Sequence, residues 1–242
     1  MAVLIRLSDR SAKMLKSELV ARNPLRILDQ TREGGLAPGQ VGLVAARAGT
    51  GKTAFLIQVA LDNLLRGNPV LHVSIGDTVN HVKAWYEELF RDLADGYELE
   101  RSREVWTEVE RNRFIMTFRV QSFSVQKLEE RLVDLVEQSI FSPRTVVVDG
   151  FDAGDDLEAI LEDLGAFARS RGLKVWVAVR THRGQGEQDD EWANTLPKAQ
   201  LALTLDPGPE GIELRVVRAP GTQGDENPLV LDPRTFLLKA AV

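Results

Sequence analysis

A short glycine-containing turn that ends in lysine and threonine carries the residues best suited to chemistry in this sequence. Residues 45–53 read Ala-Ala-Arg-Ala-Gly-Thr-Gly-Lys-Thr, follow the apolar run 41–44 and precede the helical apolar pattern of 54–61. In such a strand–turn–helix unit, small residues let successive backbone N–H groups point at one anion, and the helix N-terminus adds partial positive charge. The stretch therefore predicts a phosphate-binding loop.

Each part of this loop has a predicted role in binding ATP and Mg²⁺. The Lys52 ammonium is expected to reach the β- and γ-phosphates, and the Thr53 hydroxyl is expected to bind Mg²⁺. Ala46 stands where the strict motif has its first glycine, and the alternative interpretation is an ordinary turn of this composition. The residues predicted to contact the nucleotide are Ala48, Gly49, Thr50, Gly51, Lys52, Thr53 and Ala54.

A second informative stretch, residues 145–149, reads Thr-Val-Val-Val-Asp. Its β-branched residues predict a buried strand with Asp149 at the carboxyl end. Open parallel sheets bind ligands at the carboxyl ends of their strands, and Mg²⁺ takes oxygen ligands while it keeps several waters. Asp149 and Thr53 are therefore predicted as the metal ligands. The alternative for Asp149 is a strand-end residue that caps the next turn.

Hydrolysis of ATP also needs a group that orients the attacking water. Asp77 is the first candidate because it follows the apolar strand pattern 70–75, and Asp152 is a weaker one. The alternative interpretation of Asp77 is a turn residue that caps the following helix. Thr181, or His182 beside it, is the candidate for sensing the γ-phosphate from another strand end, with an ordinary loop role as its alternative.

The composition favours one large α/β domain. The chain has 242 residues, of which 43% are apolar, and this suffices for a full core. It contains no cysteine, which excludes disulfides and thiolate metal sites and fits a cytoplasmic location. No apolar run approaches the length of a membrane span, and residues 1–9 lack a signal-peptide core. The net charge of −6 argues against a surface that binds nucleic acid throughout.

Strand patterns alternate with amphipathic helix patterns along the chain, and the last part is rich in strands. This order predicts a single α/β domain, residues 25–242, with a largely parallel central sheet flanked by helices and with antiparallel C-terminal strands. Residues 1–24 are predicted as an extension. The predicted strands are 2–7, 41–44, 70–75, 114–120, 145–149, 173–179, 199–205, 212–218, 228–231 and 235–239, and the predicted helices are 11–22, 54–61, 79–94, part of 95–113, 124–139 and 155–171.

Residues 25–240 resemble the ATPase domain of RecA-type proteins, most closely the motor domain of DnaB-type replicative helicases and next the KaiC-type ATPases. The resemblance rests on residues 39–55, where that family also commonly begins its loop with Ala-Arg, and on 146–149. It implies a RecA-like P-loop fold, ATP and Mg²⁺ as ligands, and a homo-oligomeric ring or filament with nucleotide between subunits. The hairpin 216–221 is similar to the one from which that family offers an arginine to the next subunit, which implies a catalytic role in trans for Arg218.

Two departures from that family bear on hydrolysis. Its catalytic glutamate aligns with Gly76, so Asp77 lies one residue later and is one methylene shorter, like the second of two successive acids in KaiC-type ATPases. Thr181 stands where the helicases have glutamine. The expected function is an oligomeric, ATP-binding RecA-like ATPase, with no claim that it is a helicase, and single-stranded DNA is one candidate for what its use of ATP is coupled to. The alternative is a KaiC-like switch with little hydrolysis and a protein partner, and a small-molecule kinase ranks third.

Overall fold

One eight-stranded sheet forms the centre of the part of the chain that the structure describes. The computed structural model describes residues 13–29, 35–152, 156–181, 195–219 and 229–239. Apolar, β-branched runs form most of the strands, and the central parallel strands are largely buried on both faces because helices cover them. The strands are β1 (Val41–Ala46), β2 (Val70–Ile75), β3 (Arg113–Phe118), β4 (Thr145–Asp152), β5 (Lys174–Arg180), β6 (Leu201–Gly208), β7 (Gly211–Arg218) and β8 (Leu229–Leu231).

Seven α-helices lie among the same described residues. Local signals explain several of their ends, since Ser124 accepts a hydrogen bond from the backbone N–H of Lys127, and Gly172 ends its helix with a φ of 62°. The predictions for residues 2–7 and for a loop at 184–191 lie outside the described residues. The helices are α1 (Lys16–Arg22), α2 (Arg26–Asp29), α3 (Lys52–Leu65), α4 (Val79–Gly96), α5 (Ser102–Arg111), α6 (Val125–Glu137) and α7 (Leu157–Arg171).

The strand order explains where a ligand would bind. The strands lie in the order β3-β2-β4-β5-β1-β6-β7-β8. Strands β1 to β6 pair in parallel, whereas β7 and β8 join the sheet in antiparallel fashion. This confirms the predicted fold class, a single α/β domain with a largely parallel sheet and antiparallel C-terminal strands. The segments that follow β1, β2, β4 and β5 consequently meet at one edge of the sheet.

Different helices cover the two faces of the sheet. Trp176 and Ala178 of β5 belong to the core cluster that includes α3, α4 and α5, whereas Val175, Val177 and Val179 pack in the cluster with α6 and α7. This division follows from the alternation of side chains along a strand. Even-numbered residues of β5 therefore face the same side as the helix that begins at the predicted phosphate loop.

Most predicted elements are confirmed with shifted boundaries, but the predicted strand 235–239 is wrong. Leu238 makes only an isolated bridge to Leu231. The physical reason is the backbone of Phe236, whose φ of 55° lies in the left-handed region and breaks an extended strand. The predicted division of the chain at residue 25 stays a prediction.

Strand β4 has a bulge just after Asp149. Its pairing with β5 shifts before Phe151, and Gly150 has a φ of 112°. A Cβ atom on Gly150 would lie 2.3 Å from the carbonyl oxygen of Ile75, so only glycine fits there. The extra residue reverses the alternation, so Phe151 packs with α6 and α7 instead of sharing the α3 face with Asp149.

We predict that Gly150→Ala lowers the free energy of unfolding by roughly 2–4 kcal/mol, because it combines a disfavoured φ with a backbone clash. Chemical denaturation of the purified protein measures the change. Gly96→Ala is the matched control, since Gly96 ends α4 with no atom within 4 Å of an added Cβ. Alanine there should be neutral or stabilising by about 1 kcal/mol or less. Equal effects of the two substitutions would contradict the strain at the bulge.

Candidate functional site

The predicted phosphate loop is an exposed turn between the end of β1 at Ala46 and the start of α3. Gly49 and Gly51 have φ values of 77° and 87°, which the left-handed region makes easy only for glycine. An added Cβ on Gly49 would meet nothing within 4 Å, so the loop is open to solvent at this point. On Gly51 it would lie 2.9 Å from Phe236, so the other side of the loop packs against the C-terminal segment.

Lys52 folds its side chain back over the loop. Its Nζ atom donates to the carbonyl oxygens of Ala46 at 2.9 Å and Arg47 at 2.6 Å. Burial lowers the pKa of the Lys52 ammonium below its ordinary value, while the carboxylate of Asp149 opposes that shift. A partly desolvated cation over the mouth of the loop is a strong attractor for an anion such as a phosphate.

Thr53 and Asp149 meet beside this lysine. The Thr53 hydroxyl donates to Oδ2 of Asp149 at 2.5 Å. Burial raises the pKa of Asp149 above its ordinary value, although the hydrogen bond from Thr53 and the charge of Lys52 oppose the shift. The structure therefore brings together the loop lysine and the two residues predicted to bind Mg²⁺.

These donors fit Mg²⁺. Both are oxygen atoms, and one carboxylate beside one hydroxyl is the protein share expected for an ion that keeps several waters. Among the described residues, no group of three or more His, Asp or Glu side chains could hold a metal ion.

Thr181, the candidate for sensing the γ-phosphate, lies next to the loop. Its backbone N–H donates to the carbonyl oxygen of Ala46 at 2.9 Å, and the same oxygen accepts the hydrogen bond from Lys52. One carbonyl group thus links the end of β5 to the loop lysine. His182, the other candidate for this role, lies outside the described residues.

Asp77 lies at the same edge of the sheet, after β2. Its charge contributes to the raised pKa of Asp149. One carboxylate oxygen accepts the backbone N–H of Thr78 at 2.7 Å, and the other lies 2.5 Å from Nδ1 of His81. The carboxylate thus holds the first turn of α4, which is the alternative considered from sequence, and it does so at the edge where a water-orienting group would act.

A family comparison agrees with this geometry. The sequence matches the family "ATPase: KaiC" over residues 24–159, more than half of the chain. The chain belongs to the KaiC family of ATPases. The match includes the loop, α3 and strand β4 with Asp149, and it supports the RecA-type and KaiC-type parts of the resemblance. The closer likeness to DnaB-type motor domains is not confirmed.

No curated protein matches this KaiC-family chain in sequence. The roles of its individual site residues therefore rest on their placement in the fold. None of the described helices is both long and apolar enough to cross a membrane.

Arg218 of this KaiC-family ATPase lies away from the loop of its own chain. It pairs with Ala202 at the beginning of β6, whereas Leu205, further along β6, is level with Ala46 at the loop edge. A rise of about 3.3 Å per residue puts Arg218 roughly 10 Å back from that edge. Its guanidinium is exposed and donates to the carbonyl oxygen of Leu196 at 2.7 Å.

Sequence reasoning missed one charged residue at the site, Arg180. This residue ends β5, directly before Thr181, and forms two hydrogen bonds to the carboxylate of Asp152. Asp152 was considered from sequence only as a weaker candidate for orienting water. The alternation of side chains along β5 is the signal that could have identified Arg180. Trp176 and Ala178 face α3, and Arg180 is the next residue in this series.

We predict that Asp149→Asn raises the melting temperature of the nucleotide-free protein at neutral pH. An ionised carboxylate whose pKa is raised by burial destabilises the folded state, and the neutral amide removes this effect. As the pH falls through the raised folded-state pKa, the wild-type carboxyl group takes up a proton. The advantage of the variant should therefore shrink and vanish below the ordinary pKa of aspartate, as thermal melts across this range can measure.

Asp232→Asn is the matched control with the opposite sign. The backbone N–H of Arg234 holds the pKa of Asp232 below its ordinary value, so its ionised form stabilises the fold. This control should lose stability at neutral pH, and the loss should disappear as the pH falls through the ordinary pKa towards the lowered one. Identical melts of Asp149→Asn and the wild type at neutral pH would contradict the assignment.

Proposed function

We propose that this protein is an ATPase that binds ATP with Mg²⁺ at the loop before α3. The observation that carries the proposal is the contact between Thr53 and Asp149 beside the ammonium of Lys52. An open anion-binding turn, a lysine over it and an oxygen pair for a hard cation are the parts that a nucleotide triphosphate requires.

Each residue of the site has its own contact with ATP or Mg²⁺ in this proposal. Backbone N–H groups of residues 48–54 donate hydrogen bonds to the phosphate oxygens. Lys52 gives up its two carbonyl partners and donates to the β- and γ-phosphates instead. Mg²⁺ held by Thr53 and Asp149 would neutralise negative charge on those phosphates. Thr181 contacts the γ-phosphate from the end of β5. Ala54 takes part through its backbone, since its side chain is buried.

Asp77 orients the water that attacks the γ-phosphate, and turnover is slow. Slow turnover is expected because both oxygens of Asp77 already accept or share hydrogen bonds with Thr78 and His81 at the start of α4. The same observation favours a second function, a KaiC-like switch in which ATP binding controls assembly or a protein partner with little hydrolysis. Steady-state turnover with and without single-stranded DNA separates a DNA-coupled motor from this switch.

The working form is a homo-oligomer with ATP between subunits. The support is the exposed position of Arg218, which lies too far from its own loop to contact the phosphates there but can be presented to a neighbouring copy. Single-stranded DNA and a protein remain the two proposed partners, and the net charge of −6 restricts any nucleic-acid contact to a local surface. A cytoplasmic location stays a prediction.

We predict that Lys52→Ala weakens the binding of Mg²⁺-ATP by about 30-fold or more, because it removes charge-assisted hydrogen bonds to the phosphates. Titration calorimetry measures the dissociation constants. Lys174→Ala is the matched control, because Lys174 begins β5 at the opposite edge of the sheet from the loop. It should bind ATP as the wild type does. An unchanged dissociation constant in Lys52→Ala would remove the loop from the proposal.

We predict that Arg218→Ala and Lys52→Ala are each inactive alone and regain activity when mixed. In a random mixture, about one quarter of the interfaces combine an intact loop from one subunit with an intact Arg218 from the next, so turnover should recover to about that fraction of the wild type. The measurement is steady-state phosphate release after the two variants are mixed and allowed to exchange subunits. No recovery despite proven exchange would exclude action in trans.

A further inference from the structure

An ion pair between Arg180 and Asp152 lies at the edge of the site without a part in the function proposed above. Nε and Nη2 of the arginine each donate to a different carboxylate oxygen, and both distances are 2.5 Å. Both side chains are partly exposed, by 45% and 39%. An exposed pair of this kind adds little to stability, so its position at the site is its more informative property.

The pair lies directly beside the phosphate loop. In the sheet, Arg180 is the register partner of Ala46 on one side and of Asp152 on the other. Ala46 is the last residue of β1 before the loop, and its carbonyl oxygen accepts hydrogen bonds from Lys52 and from the backbone of Thr181. The backbone directly after Arg180 and the loop lysine therefore share one hydrogen-bond acceptor.

Side-chain alternation directs both members of the pair towards α3. Trp176 and Ala178 of β5 pack with α3, and Arg180 continues that series. The bulge at Gly150 places Phe151 on the opposite face, so Asp152 projects to the α3 side. Without the bulge, Asp152 would point away from the loop.

The charges of the pair act on the loop lysine. Burial is the main cause of the lowered pKa of Lys52; the guanidinium of Arg180 adds to it, whereas the carboxylates of Asp149 and Asp152 oppose it. Two cations, Lys52 and Arg180, thus lie close to the carboxylates of Asp149 and Asp152 at this corner of the site. A triphosphate adds negative charge, which favours a cation that can turn from a carboxylate to a phosphate.

We propose, on the basis of the ATP site argued above, that Arg180 binds the γ-phosphate and that Asp152 holds it in reserve until ATP arrives. A guanidinium offers the same two-pronged geometry to carboxylate and to phosphate, so the exchange keeps its hydrogen bonds. ADP lacks the group that would draw Arg180 away, so the ion pair persists with ADP. The exchange therefore discriminates ATP from ADP and frees the carboxylate of Asp152 only in the ATP state.

The test compares dissociation constants for a non-hydrolysable ATP analogue and for ADP, both with Mg²⁺, by titration calorimetry. Arg180→Ala should weaken binding of the analogue by about 10-fold and leave the dissociation constant for ADP unchanged. Asp152→Asn should have the opposite effect, because it weakens the ion pair that holds Arg180. It should strengthen binding of the analogue by about 3-fold and leave binding of ADP unchanged. The double variant should behave like Arg180→Ala alone.

Arg171→Ala is the matched control. Arg171 also forms an ion pair through two nitrogens, with Glu129, at a similar exposure of 42% and 36%, but it joins α7 to α6 away from the loop. This variant should keep the wild-type ratio of the two dissociation constants. If Arg180→Ala does not fold, Asp152→Asn carries the test by its direction alone.

The outcomes separate this inference from the proposed function. If the wild type binds the analogue through Lys52, but Arg180→Ala and Asp152→Asn change both nucleotides equally or in the same direction, the ion pair is structural and the inference is overturned. If the wild type binds neither nucleotide, the ATP site itself is overturned together with the inference. The same conclusion follows if Lys52→Ala binds both nucleotides with the dissociation constants of the wild type.

Discussion

The hydrogen bond from Thr53 to Asp149 joins two residues that are 96 positions apart in the chain, and the proposed site depends on it. The strands that carry them, β1 and β4, are not neighbours in the sheet, because β5 lies between them. In this sheet the contact spans one intervening strand, so it depends on the parallel pairing of β5 with both strands in the observed register. The same pairing brings Arg180 and Thr181 to the loop, so one feature of the topology assembles the whole charged corner.

The charged corner opposes stability while it prepares the site for a ligand. Burial acts against the ionised forms of both Lys52 and Asp149, as the directions of their pKa shifts indicate. The two extensive apolar clusters on the faces of the sheet supply the compensating stability. A nucleotide with its metal would relieve much of the electrostatic cost, and its binding would then stabilise the folded state.

The C-terminal segment supports the loop from behind. Gln58 of α3 donates to the carbonyl oxygen of Phe236 at 2.7 Å and accepts the backbone N–H of Leu238 at 2.8 Å. Phe236 packs between Gly51 of the loop and Trp85 of α4, with 6.2 Å between the two ring centroids. The left-handed backbone at Phe236 thus interrupts the extended chain and places the Phe236 ring between the loop and α4.

The sequence by itself determined the loop, the apolar strands, most helices and the candidacy of Thr53 and Asp149 as metal ligands, because these follow from local patterns and from the rule that ligands bind at carboxyl ends of parallel strands. Only the tertiary structure decided that Arg180 meets Asp152, that Arg218 lies back from the loop edge, and that Phe236 is not part of a strand. These depend on strand register, on a bulge and on one backbone dihedral angle. Such features are set by long-range pairing and packing, which no local periodicity encodes.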